Sequence, residues 1–167
     1  MENMRQIGIE KITLNIGAGN SKELLTKGLK LLKNITAHTP VQTISNKRIP
    51  TWGVRPGLAI GCKVTIRGKE ATELLKRLFT AVNNKLKKSK FDEQGNFAFG
   101  IPEYLEIPGV EYDAEVGIIG LEVAVTLMRP GFRIKRKKIK FKKVAKKHRI
   151  SKQEAMEFIQ KEFGVKM

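Results

Sequence analysis

Two histidines, one cysteine and scattered carboxylates are the residues from which an active site would have to be built. His38 and His148 lie far apart in the chain, and Cys62 alone supplies no Cys/His cluster of the kind that holds a metal. Cys62 falls on the inward side of an alternating segment, so it reads as a small core residue in a reducing compartment. GAGNSK (17–22) carries the glycines of a phosphate loop but neither its G-K-[ST] ending nor its spacing, and entry from a strand into a helix explains them. The acids Glu103, Glu106, Glu111, Asp113 and Glu115 have no fixed partner in sequence and read as surface groups. Nothing here composes a nucleophile, an acid–base pair or a metal centre. No enzyme, cofactor or metal is expected.

The cations point elsewhere. The chain has 33 Lys and Arg against 16 Asp and Glu, a net charge of +17 and a pI near 10.1. Such a field attracts polyanions, so nucleic acid and anionic membrane are the partner classes to weigh. No run approaches the roughly 18 apolar residues that span a bilayer, and MENMRQIGIEK lacks the apolar centre of a signal peptide.

The charge is concentrated. RIKRKKIKFKKVAKKHR (133–149) holds 11 cations in 17 residues and no acid: Arg133, Lys135, Arg136, Lys137, Lys138, Lys140, Lys142, Lys143, Lys146, Lys147 and Arg149. The remainder of the chain carries 22 basic residues against 16 acidic ones. A nuclear-targeting patch, a membrane-surface segment and a nucleic-acid arm share this composition. Its few apolar residues are too sparse for a strong membrane anchor, and unpaired cations at this density repel one another, which favours a phosphate partner.

A second basic stretch, NKRIPTWGVRPG (46–57), lies between two strand-like segments. It spends 12 residues where a hairpin needs about two to five. Pro50 and Pro56 stiffen it, Lys47, Arg48 and Arg55 suit phosphate, and Trp52 can stack on a base or fold back onto the domain. Loop length favours a contact loop.

The elements that must position these residues follow from periodicity. Ile12, Leu14 and Ile16 alternate with Lys11, Thr13 and Asn15 in a first strand (7–17). Asn20 and Glu23 have capping-box spacing ahead of a helix that stops before Pro40. VQTIS (41–45) is a short strand. Ile60, Cys62, Val64 and Ile66 alternate with Lys63, Thr65 and Arg67 in the next (60–68). KEATELLKRLFTAVNNKL (69–86) is an amphipathic helix, 91–113 is turn-rich with short strands, and IIGLEVAVTLM (118–128) is a last strand with Thr126 facing outward. Ser151 and Glu154 form a capping box for a terminal helix with Ala155, Phe158, Ile159 and Phe163 on its apolar face.

Strands polar on one face only can be covered by helices only on the other. The expected fold is therefore α+β: an antiparallel β-sheet with helices packed on one face and an open face. Residues 1–132 read as one RNA-binding domain with the long loop at 46–57, and 133–167 as a basic segment followed by a helix. The open face would carry Lys11, Thr13, Asn15, Lys63, Thr65, Arg67 and Thr126. Its hydroxyls and amide suit a ribose 2′-OH, which DNA lacks. A plain solvated face looks similar, Thr being common in strands, and the net charge favours RNA. No aromatic lies on these strands, so base stacking on the sheet itself is not expected.

IEKITLNIGAG, IGCKVTIRG, FDEQGNFAFGI with the EYD that follows, and IGLEVAVT, in this order and spacing, closely resemble the universal large-subunit ribosomal protein five family, the 5S-ribosomal-RNA-binding proteins. The resemblance covers nearly the whole chain. The missing N-terminal helical extension and the basic tail look archaeal or eukaryotic in type. The resemblance implies a structural, cytoplasmic component of the ribosome that binds 5S rRNA and helps attach it to the large subunit in the central protuberance, and that also touches large-subunit rRNA. It implies that Asn15 and Thr65 contact 5S rRNA. A third such position, commonly glutamine, is His38 here. It implies too that loop 46–57 reaches P-site tRNA and that a small-subunit protein is met at an intersubunit bridge, with neither membrane nor DNA as partner. A regulatory single-strand or mRNA-binding module is the alternative from another class.

Overall fold

The computed structural model describes residues 4–166. Met1, Glu2, Asn3 and Met167, which fall within the ranges above, lie outside the described residues. The chain runs β1 (Gly8–Gly17), α1 (Lys22–Thr36), β2 (Val41–Ile44), β3 (Ala59–Ile66), α2 (Lys69–Ala81), β4 (Phe97–Ile101), β5 (Leu121–Met128) and α3 (Lys152–Phe163). All strands pair antiparallel, in the order β2-β3-β1-β5-β4. The α+β layering expected from the alternation is what the chain adopts.

Alternation decides which face is buried. Ile12, Leu14 and Ile16 of β1, Cys62, Val64 and Ile66 of β3, and Leu121, Val123, Val125 and Leu127 of β5 all point into one core. There they meet Leu25, Leu31, Leu32 and Ile35 of α1 and Leu74, Leu75, Leu78 and Phe79 of α2. Among described helices none is long and apolar enough to cross a membrane.

Two boundaries differ from the sequence reading. The N-cap of α1 is Ser21, whose hydroxyl accepts from the Leu24 amide at 3.3 Å. The Asn20–Glu23 box does not form, because the chain is still turning at Asn20 and Ser21 is the residue with extended backbone (φ −83°, ψ 111°). α2 ends at Ala81, not 86. Asn83 and Asn84 take left-handed backbone (φ 55° and 52°), which Asn tolerates, and reverse the chain. Leu86 still reaches the core, from outside the helix.

The C-terminal segment shares this core. Phe132, Val144, Ile150, Ala155, Ile159 and Val165 are all buried in it. Ser151 and Glu154 form the anticipated capping box. Gly95 explains how closely α3 docks: a Cβ there would come within 2.6 Å of Ile150 Cγ2 and 3.4 Å of the Ala155 Cβ. Phe79 of α2 packs with Phe97, Phe99 and Phe163, ring centroids 6.1, 5.7 and 5.4 Å away, and so ties α2 to β4 and to the end of α3.

Burial pushes the Cys62 thiol up to about 11, so it stays neutral at physiological pH, in keeping with a core role. The acids of 103–115 are not all unpartnered surface groups. Lys30 of α1 pairs with Asp113 at 2.8 Å and with Glu115, an arrangement no local pattern reveals because the partners lie more than 80 residues apart. The Lys30 ammonium holds the Asp113 carboxyl below the usual carboxylate range.

Candidate nucleic-acid interface

Strand register turns the outward residues into ordered rows. One row runs Val41, Lys63, Asn15, Glu122, Gly100 from β2 across to β4. The next runs Thr65, Thr13, Ala124, Ala98, and beyond it Lys11 lies opposite Thr126. Lys63 and Thr65 are exposed, and Lys11, Thr13, Asn15 and Thr126 are half-buried among neighbours. Thr13 and Thr65 bring their hydroxyls to 3.4 Å, and the Asn15 amide donates to the Glu122 carboxylate at 3.3 Å. The β4 edge of this face is low, being alanine and glycine, and β5 adds Glu122, Ala124 and Thr126. The β1–β3 side is cationic, with Arg67 just past the end of β3.

A bulge in β1 precedes these rows. Pairing with β5 jumps from Ile9–Leu127 to Lys11–Thr126, leaving Glu10 as the extra residue. Its carboxylate is buried and pairs with Arg136 of the basic segment, and its second oxygen has no partner among the described residues. Beyond the bulge the pairing is regular, and Lys11, Thr13 and Asn15 share the open face by alternation, while Glu10 draws a tail cation to itself.

Loop 46–57 is a closed miniature hairpin. Ser45 binds its base, donating its amide to the Leu58 carbonyl and accepting from the Gly57 amide, both at 2.9 Å. Ile49 and Val54 exchange amide–carbonyl bonds of 2.9 and 3.1 Å around a tight turn, Pro50–Trp52, that closes on Gly53 in left-handed backbone (φ 65°). Val54 is buried, whereas Trp52 is 71% exposed. Lys47, Arg48 and Arg55 are exposed beside it. A Cβ at Gly53 would lie 3.2 Å from the Asn20 amide, so the tip rests beside the β1–α1 turn. The loop therefore presents an uncovered aromatic among cations on a hydrogen-bonded frame.

The basic segment doubles back on itself. Arg129 is buried and clamps its far end, donating to the Arg149 carbonyl at 3.1 Å and to Glu154 at 2.7 Å. His148 bonds the Pro130 carbonyl at 2.9 Å, and Lys142 donates its amide to the Ile134 carbonyl at 3.3 Å. Between these ties Arg133, Lys137, Lys138, Lys140, Lys142, Lys143, Lys146 and Lys147 are exposed. Lys135 lies over the Phe132 ring at 5.2 Å, and the Arg149 side chain donates to the Val144 carbonyl at 3.3 Å.

Residues 2–55 match the family profile described as Ribosomal protein L5, and residues 59–158 match the profile for the C-terminus of the same ribosomal family. The chain belongs to the ribosomal protein L5 family. It is 52% identical to the large ribosomal subunit protein uL5 of Nanoarchaeum equitans over 98% of this chain and 97% of that one. The Sulfurisphaera tokodaii uL5 is 49% identical over 97% of this chain and 92% of its own. The Methanococcus vannielii protein of the same name is 43% identical over 99% and 93%.

On this L5-family frame His38 stands apart from the sheet rows. It follows the left-handed cap of α1 and faces α2, with Nδ1 2.7 Å from the Thr36 carbonyl and Nε2 3.4 Å from Glu70. An RNA bond from this ring would have to replace one of those contacts. The sequence reading also passed over Glu122, an acid in the middle of an otherwise neutral or cationic face. The signal was present: Glu122 and Thr126 share strand parity, and the same count that places Thr126 outward places Glu122 beside it.

Proposed function

We propose that this chain is a structural, non-catalytic component of the large ribosomal subunit that docks 5S rRNA on the open sheet face and helps fasten it to large-subunit rRNA. The observation that carries this is the open face itself. Thr13, Asn15 and Thr65 converge on adjacent strands in register, with cations to one side and Glu122 and small residues to the other. RNA duplexes display 2′-hydroxyls in a wide, shallow minor groove, which such a low, hydroxyl-bearing face can approach. Lys11, Lys63 and Arg67 suit phosphates, which position the RNA without reading its sequence. The exposed cations of 133–149 suit large-subunit rRNA. Trp52 with Lys47, Arg48 and Arg55 forms the surface we assign to P-site tRNA. Membership in the L5 family supports the same partners, including a small-subunit protein at an intersubunit bridge.

Filter binding tests the central claim. Replacing Asn15 and Thr65 together by alanine should weaken 5S rRNA binding while the fold survives, since both side chains project away from the core. Each lost hydrogen bond is worth about 0.5–1.5 kcal/mol. Wild-type affinity in the double variant would remove this face as the site. Equal retention of any single-stranded RNA by the wild type would favour a general RNA-binding module, a reading that an open face without aromatic side chains does not support.

A further inference from the structure

Where the doubled-back basic segment meets the end of β5, a cavity of about 240 Å³ opens on the helix side of the sheet. We propose that it receives a single unstacked nucleotide of ribosomal RNA. The proposal rests on the RNA-binding function argued above and adds a second, separate contact to it.

Size comes first. A closed apolar cavity of about 150 Å³ accommodates benzene, so this one has room for a larger flat ring. Its floor is apolar, with Leu127, Phe132 and Ile150 all buried. At its edge Phe141 is 58% exposed and packs on no other ring among the described residues. An aromatic left uncovered over an apolar slot is what a base needs to stack upon.

The rim supplies hydrogen-bonding edges. The Asp92 carboxylate accepts from the backbone amides of Gln94 and Asn96 at 2.9 and 2.7 Å and from the Asn96 side chain at 2.9 Å. The turn is thereby fixed, with one hydrogen of the Asn96 amide held by Asp92 and its oxygen left as an acceptor. Gln94, exposed beside it, offers both a donor and an acceptor. Paired donor and acceptor groups match the edge of a nucleobase and are wasted on a purely apolar ligand. Charge names the class of ligand. Lys135, Lys143 and Arg149 also line the cavity, where a base's own phosphate would lie, and no acid does. Leu127 points to the buried side of the sheet, so this cavity and the open face do not present to the same groove.

The test uses the full-length protein, 5S rRNA and, separately, protein-free large-subunit rRNA. Phe141→Ala should lower affinity for one of these RNAs by about 5- to 150-fold, the range of one base–aromatic stack, while Phe141→Trp retains it. Because stacking releases no counterions, the slope of log K against log salt should not change. Chemical methylation of base edges, read by primer extension, should show one base protected by the wild type and exposed with Phe141→Ala or Gln94→Ala. Gln94 sits on an exposed turn, so its variant answers the question even where Phe141→Ala perturbs the segment. Unchanged affinity with both RNAs and no newly reactive base would overturn the proposal, as would a loss seen only as a flatter salt slope. Retention of 5S rRNA through Asn15 and Thr65 is measured alongside: its failure strikes the open face, and the base-specific readout strikes only the cavity.

Discussion

Asn15 on β1 and Glu122 on β5 lie directly opposite in register, and the Asn15 amide donates to the Glu122 carboxylate at 3.3 Å. An amide held through its nitrogen turns its oxygen outward as an acceptor. Glu122 thus orients the one carboxamide on a face otherwise made of hydroxyls, cations and small side chains. With RNA docked on this face as proposed, Glu122 would also repel a backbone whose geometry is wrong, which would serve specificity more than affinity.

Glu122→Ala should therefore separate the two. Binding to an unrelated RNA of similar length should strengthen as the repulsion is removed. Binding to 5S rRNA should strengthen less or fall, by roughly two- to ten-fold for one lost orienting hydrogen bond. Competition filter binding with both RNAs measures the ratio. An unchanged ratio would assign Glu122 to solvent alone.

The loop leads to a second expectation. Arg48, Trp52 and Arg55 replaced by alanine should leave 5S rRNA binding intact and modestly weaken retention of P-site tRNA on assembled ribosomes, where tRNA is held by many other contacts. In the free protein the amides of Ile49 and Val54 should exchange slowly, since they bond each other's carbonyls. Trp52 fluorescence should be open to aqueous quenchers. A shielded tryptophan would mean that it packs on the body and is unavailable to stack.

Neutralising the basic segment is a cleaner experiment than removing it. Truncation would strip Val144, Ile150, Ala155 and Ile159 from the core, at a cost of about 2–5 kcal/mol for each large side chain. Lys137, Lys138, Lys140, Lys142 and Lys143 changed to glutamine should keep the fold. The salt dependence of RNA binding should flatten by about 0.7–0.9 in slope for each phosphate that is no longer neutralised. A slope identical to wild type would mean that these cations meet no phosphate.

Acid should loosen the C-terminal clamp. The Ser151 backbone amide, with help from Arg129 and the Ser151 hydroxyl, holds the Glu154 carboxyl below its ordinary value. A carboxyl depressed in the folded state contributes stability above its unfolded pKa of about 4.3 and loses it as pH falls through the lower folded value. Thermal melts between pH 6 and 3 should show a destabilisation that Glu154→Gln blunts. The variant should be less stable than wild type at pH 6, by about 1 kcal/mol for a compromised helix cap. Parallel acid profiles would show that Glu154 does not couple to folding.

Strands and their outward residues were legible in the sequence because period-two alternation is a local signal: Thr13, Asn15, Thr65 and Thr126 needed only counting. The Ser151–Glu154 box was legible for the same reason. What escaped depends on distant pairings. Glu10 shares strand parity with Ile12, but nothing local shows that Arg136 arrives from the basic segment to meet its carboxylate, or that Asp113 arrives from across the fold to meet Lys30. The stop of α2 at Ala81 was written in Asn83 and Asn84, but an unbroken apolar stripe through Val82 and Leu86 outweighed it. The Phe141 cavity had no local signature, since its walls come from a turn, a strand end and a segment that reads only as charge.

The strand order also bears on when the molecule becomes able to hold RNA. β1 is synthesised before the other strands yet lies at the centre of the sheet, and its partner β5 follows more than a hundred residues later, as the 107-residue separation of Asn15 and Glu122 shows. The β5 and β4 side of each row on the open face thus does not exist until most of the chain has left the ribosome that makes it. Until then β1 has one bare edge, with its Ile12–Leu14–Ile16 face only partly covered, a state exposed to mispairing. A growing chain of this topology cannot seize its RNA piecemeal. It offers the proposed docking surface late and whole, so products that stop before β5 carry Lys11, Lys63 and Arg67 without the shape that discriminates among RNAs, and without the basic segment that follows β5.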